Sequence, residues 1–135
     1  MEKIFLDTSF LIAYHNRKDE NHEKVARWVR NIRKERISFL ISDYIFDEVL
    51  TVLLVRGSKE LSIEAGRRIL ESDRIILIRV DDIVFDRAWE IYQNYSDKNW
   101  GFTDCTSYVL MKGLNILKGV SFDEHFKQFG FEIVI

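Results

Sequence analysis

The chain has 135 residues, 20 basic and 22 acidic side chains, a net charge of −2 and 47% hydrophobic residues, the balance of one ordinary globular domain and not of a disordered segment. Near-neutral charge excludes the global basic field of a high-affinity DNA reader, though not an enzyme that meets nucleic acid locally. The single cysteine, Cys105, excludes an internal disulfide framework and suits a reducing cytosol.

The first run, "KIFL" (Lys3–Leu6), reads as a strand, and a helix is expected over Thr8–His15. Between them stands Asp7, one carboxylate inside the otherwise apolar "IFLDTSFLIA". It breaks the only apolar stretch near the N-terminus, so no signal peptide is expected there, and no run approaches the ~20 residues of a membrane span. The expected location is the cytoplasm, away from any membrane. A buried carboxylate is costly unless something compensates it. Two readings stay open, the N-cap of the following helix and the ligand of a cation.

"NHEKVARWVRNIRKE" sets Val25, Trp28, Val29 and Ile32 at i, i+3, i+4, i+7, an amphipathic helix. Its basic stripe (Lys24, Arg27, Arg30, Lys34) reads as a solvated face, with Glu20–Lys24 and Glu23–Arg27 spaced for i, i+4 pairs. "ISFLIS" (Ile37–Ser42) is a second strand. The helix "DYIFDEVLTVLLVRG" follows, carrying Glu48 and expected to close at Gly57. A helical stretch around Glu60–Leu70 leads to a third strand, "IILIRV" (Ile75–Val80), and "DDIVFDRAWEIYQNY" is a further helix. The loop holding Asp97, Trp100 and Gly101 precedes "TDCTSYVLMKG", a helix opened by Asp104, with Thr103 expected to cap it and Gly113 to close it. Trp100 and Phe102 are expected to pack, and Cys105 to be a small core residue. "NILKGVS" (Asn115–Ser121) and "FEIVI" (Phe131–Ile135) are strands four and five, flanking a short helix over Asp123–Phe129.

Alternation of helices with continuously apolar strands predicts an α/β fold: one domain over 1–135, a three-layer sandwich around a central parallel sheet of about five strands. Ligands of such sheets bind outside the carboxyl ends of the strands. Asp7 and Asp123 follow strands one and four, while Glu48 and Asp104 lie near helix starts, so four carboxylates can converge there. Three of them have apolar neighbours expected to bury them. Like charges in a dry pocket drive each other's pKa upward. Mg²⁺ or Mn²⁺ relieves this, and both metals suit carboxylate oxygens. Two such ions would activate a water and stabilise the leaving oxygen in phosphodiester hydrolysis.

Each acid alone has an ordinary reading, as helix cap, dipole partner or solvated residue; only their joint placement favours a metal site. The histidines (His15, His22, His125) are scattered, leaving no zinc spacing, and there is no phosphate loop or G-x-S-x-G elbow.

"FLDTSFLIA", "SDYIFDEVL", "DKNWGFTDCTSYVLM" and "SFDEHFKQFGF" resemble, in order and spacing, the four acidic motifs of PIN-domain ribonucleases, most nearly the VapC-type toxins of toxin–antitoxin operons. The resemblance covers essentially the whole chain. It implies that Asp7, Glu48, Asp104 and Asp123 form the acidic metal-binding quartet, and that Ser9 and Ser121 are its supporting hydroxyls. Gly101 departs from the serine frequent at its position. The resemblance further implies Mg²⁺- or Mn²⁺-dependent cleavage of RNA, homodimerisation and a cognate antitoxin. Rival readings are a catalytically inactive PIN-like dimerisation or binding module and a phosphotransfer domain. A haloacid-dehalogenase-type phosphatase wants an aspartate where Ser9 stands, and a response-regulator receiver wants a lysine ending strand five.

Overall fold

The computed structural model describes residues 1–135. Five strands and seven helices follow in the order β1 (Glu2–Leu6), α1 (Thr8–His15), α2 (His22–Asn31), β2 (Ile37–Ser42), α3 (Asp43–Arg56), α4 (Lys59–Glu71), β3 (Ile75–Ile78), α5 (Asp82–Asn94), α6 (Phe102–Gly113), β4 (Lys118–Val120), α7 (His125–Gln128) and β5 (Glu132–Ile133). Every strand pair is parallel, and the order across the sheet is β3-β2-β1-β4-β5. The expected three-layer α/β architecture is therefore what forms.

Expected and observed bounds agree for α1 and β2. The later strands are shorter than their apolar runs. Asn115 adopts a left-handed turn (φ 55°), a conformation asparagine tolerates, so "NILKGVS" cannot extend through it, and only Lys118–Val120 pairs. Ile116 and Phe131 are buried without joining the ladder.

Both faces of the sheet are covered because strand side chains alternate. Leu6 and Phe39 turn to one side, into a recess walled by Phe10 of α1, Val29 of α2 and Ile69 of α4. Phe5 faces Phe126 of α7, their ring centres 6.2 Å apart. That approach requires Gly119: a Cβ there would lie 2.8 Å from the Phe126 ring. Gly57 has a comparable reason. It is not left-handed (φ −123°), but a Cβ would press on Leu61 at 2.7 Å and on the Leu53 carbonyl at 2.9 Å.

The chain leaves β1 for β2 and β3 on one side, then crosses back to place β4 and β5 on the other. The reversal of strand order falls between β1 and β4. In open parallel sheets that is where a crevice opens outside the carboxyl ends.

Candidate active site

Asp7 leaves β1 at this switch point, its backbone N–H donating to the Val120 carbonyl of β4 at 3.1 Å. It occupies the N-cap position of α1, yet its side chain makes no capping hydrogen bond. The carboxylate turns instead toward β4, where Oδ2 accepts the Ser121 hydroxyl at 2.7 Å and lies 3.3 Å from the Ser9 hydroxyl. Ser9 also accepts the Phe122 N–H at 3.0 Å, and Ser121 accepts the Asp123 N–H at 2.9 Å. These two hydroxyls stitch the end of β1 to the turn after β4. Asp7 is only 4% exposed. Burial lifts its pKa from 3.8 to about 6, against the Ser121 hydrogen bond and helped by the charges of Asp104 and Asp123. Two hydroxyls compensate the charge only in part.

Asp104 enters from α6. The helix begins at Phe102 with Gly101 as N-cap, so Thr103 is not the cap, contrary to expectation. Asp104 supports that cap from the third position of the helix, its side chain accepting the Gly101 N–H at 2.9 Å. A side chain at Gly101 would meet Asp104 Oδ2 at an ordinary 3.5 Å, so glycine in place of serine neither strains nor opens the turn. Burial raises the pKa of Asp104, opposed first by the Gly101 N–H and then by His125.

Asp7, Glu48, Asp104 and Asp123 line one cleft of about 500 Å³, together with Ser9, and Arg56 is its one lysine or arginine. Ser121 supports the floor through Asp7. Asp97 lies outside this cleft, exposed in the turn after α5. The expectation that three of the acids are buried is corrected. Only Asp7 is; Glu48 and Asp104 are partly exposed and Asp123 is exposed, because a cleft rim needs apolar walls on one side only.

The histidines are not all scattered. His125 Nδ1 lies 2.8 Å from Asp104 Oδ2 and 3.2 Å from Asp123 Oδ1. Both partners are acceptors, so this nitrogen carries the proton. Ligand atoms of Asp104, Asp123 and His125 all fall within 4.8 Å of one another. The sequence signal was the two-residue step from Asp123 to His125, which a turn folds onto the same edge. On α2 the i, i+4 pairs are not formed: ion pairs involve only Lys118 and His125. The basic stripe is nonetheless exposed, as expected. Trp100 packs on Phe129, Phe102 packs between Phe85 and Tyr92, and Cys105 is buried.

A parallel sheet in this order, with acids from two strand ends and two helices meeting at its switch point, defines a class of protein. The chain belongs to the PIN-domain family, whose model matches residues 4–132. It is similar to the 23S rRNA-specific endonuclease VapC20 of Mycobacterium tuberculosis (strains CDC 1551 and H37Rv), with 27% identity over 132 residues, 95% of each chain. The crystal structure of Mycobacterium tuberculosis VapC20, a Sarcin–Ricin loop cleaving toxin, matches with a TM-score of 0.88 and 26% identity, covering 97% of this chain and 98% of that one. VapBC2 from Rickettsia felis, solved with a DNA fragment from its promoter, shares the fold at a TM-score of 0.70 and 14% identity, covering 98% and 97% of the two chains.

Proposed function

We infer that this chain is a VapC-type endoribonuclease, the toxin of a toxin–antitoxin pair, which hydrolyses RNA phosphodiester bonds with Mg²⁺ or Mn²⁺ in a single nuclease domain spanning 1–135. The observation that carries this reading is the meeting of four carboxylates around a buried, incompletely compensated Asp7. Hard oxygen donors with one imidazole beside them fit Mg²⁺ or Mn²⁺. The buried hydroxyl of Thr8, which lines the same cleft and has no hydrogen-bond partner, suits an ordered water or a ligand oxygen.

Asp7 and Asp104 are the direct ligands in this reading. Asp123 and Glu48 would complete the shell or orient the attacking water, and His125, donating from Nδ1, holds the Asp104 and Asp123 carboxylates in place. When bound, the metal supplies a Lewis acid for the phosphate and lowers the pKa of water. The chain's own part is to hold the donors on rigid elements, a strand end and a helix start, and to take up the water's proton on a carboxylate.

The chain works in the cytoplasm as a homodimer held by its antitoxin. No helix is long and apolar enough to cross a membrane. Ile83, Phe85, Trp89 and Tyr92 of α5 are all exposed, and apolar surface gathered on one helix suits association of two copies. An inactive scaffold would gain nothing from Asp7, whose ionised form is unfavourable without a cation.

Chelation decides between the two. Cleavage of single-stranded RNA is expected to stop in EDTA and to return with Mg²⁺ or Mn²⁺, with millimolar Mg²⁺ binding visible by calorimetry. Undiminished cleavage in excess EDTA, or no metal binding at all, refutes the mechanism.

A further inference from the structure

Beside the acidic cleft lies a second recess of about 480 Å³, with the opposite charge. Arg17, Lys18, Arg56 and Arg68 line it, and Glu64 is its one acid. The two recesses share Arg56. Their contrast is built into two elements. In the α1–α2 loop, Arg17 and Lys18 line the basic recess, while the next residues, Asp19 and Glu20, line the acidic one. Along one face of α3, Glu48, Val52 and Arg56 follow at i, i+4, i+8, so Arg56 stands about 12 Å along the helix axis from Glu48. None of the four cations forms an ion pair with a carboxylate.

We propose that this basic recess is a phosphate-binding channel that holds the RNA strand to one side of the scissile bond, with Arg56 passing the backbone into the acidic cleft. The proposal rests on the ribonuclease reading above and adds to it a path for the substrate. An acidic cleft alone repels a polyanion; a metal corrects this only at the scissile phosphate. Flanking phosphates need cations of their own, and the affinity they supply is electrostatic and independent of sequence. Arginine suits such contacts because its planar fork meets phosphate oxygens in pairs. Burial and the neighbouring Arg68 hold His15, which also lines the recess, down at about 4. The imidazole is thus neutral at physiological pH and leaves the charge to the exposed side chains.

The test measures binding of a fluorescein-labelled 12-nucleotide single-stranded RNA by anisotropy over a salt series, with Ca²⁺ in place of Mg²⁺. The proteins compared are the unaltered chain, the double variant Arg17→Gln/Lys18→Gln, Arg68→Gln, and the control Arg87→Gln/Lys112→Gln, whose side chains line a separate recess of α5 and α6. Each lost phosphate contact on a single strand lowers the slope of log K against log salt by about 0.7. The double variant is therefore expected to lose about 1.4 in slope and at least tenfold in affinity at low salt. Arg68→Gln should lose about half that slope, and the control none. All substituted side chains are exposed, and unchanged melting curves would establish that folding is intact. Unchanged slope and affinity in a folded double variant overturn the channel. So does loss of binding to a poly-glutamate peptide with RNA binding intact, which would assign the recess to an acidic protein segment. Failure of the ribonuclease reading looks different: the unaltered chain would then cut no RNA with Mg²⁺ or Mn²⁺.

Discussion

Replacing Asp7 with asparagine tests whether the site holds an uncompensated charge. Its carboxyl rises from 3.8 to about 6 on folding. At 1.36 kcal/mol per pKa unit, the ionised form is about 3 kcal/mol less favourable in the folded chain than in the unfolded one. Between pH 3.8 and 6 the folded state binds the extra proton. Stability from this group is therefore greatest below that window, falls as pH rises through it, and stays low above it. Asparagine removes the penalty, which is already net of the Ser121 bond, but its amide NH2 replaces a carboxylate oxygen and needs an acceptor in a buried site, giving back about 1 kcal/mol. A net gain of about 1–2 kcal/mol remains for the metal-free protein above pH 7, a rise in Tm of roughly 3–8 °C for a domain of this size. Scanning calorimetry of both proteins in EDTA at pH 4 and pH 8 should show that gain at pH 8 and its disappearance at pH 4. Added Mg²⁺ at about a hundred times its Kd should stabilise the native protein by about 2.7 kcal/mol and the variant by less. A variant that is less stable at both pH values, or equally favoured at both, refutes the reasoning.

Asp104→Asn should lower RNA cleavage by about a hundredfold or more at saturating Mg²⁺, whereas Asp97→Asn, outside the cleft, should cost about tenfold at most; equal losses would mean that the wrong acid is assigned. His125→Ala should weaken Mn²⁺ binding by about 10–100-fold in calorimetry, the cost of a group that orients metal ligands, and an unchanged Kd would remove it from the site. Gly119→Ala sets a methyl 2.8 Å from the Phe126 ring. Such overpacking costs about 1–3 kcal/mol, and an unchanged melting curve would mean that β4 and α7 do not meet as closely as described.

Much of this arrangement was legible in the sequence because it is local. Strand β2 and helix α1 are bounded by changes in hydrophobic pattern that the chain itself carries, and Asp7 announced itself as a charge among apolar neighbours. Asp104 was found for a reason that proved incomplete. Threonine is a good helix cap and directly precedes the aspartate, so Thr103 was expected to cap, yet the aspartate's reach back to the Gly101 N–H (2.9 Å) sets the start of α6. His125 escaped because it meets its partner Asp104 across 21 residues, a separation at which only the turn after β4 decides. The basic channel escaped for the same reason. Arg17 and Lys18 come from one loop, Arg56 and Arg68 from the ends of α3 and α4, and nothing in a linear reading separates them from the solvated charges of α2.

The two halves of the site differ in how their charge is met, and that difference bears on where a cation would act. Asp104 and Asp123 already have the imidazole of His125 between them, and Asp104 has a backbone donor besides. Asp7, the most buried of the four, has no charged partner, only the Thr8 backbone N–H and two hydroxyls, each shared with another acceptor or donor on the turn after β4. Further donors at Asp7 would stabilise the empty protein and, by the same amount, oppose the binding of a metal there. The fold withholds them. It can do so because Asp7 is fixed by the β1–β4 backbone bond to Val120 at 3.1 Å and by the packed core beneath, so its carboxylate stays in place without being satisfied. A donor held rigidly and left partly unmet needs no reorganisation when a cation arrives, which is how a stable core is converted into affinity at a site that would otherwise relax.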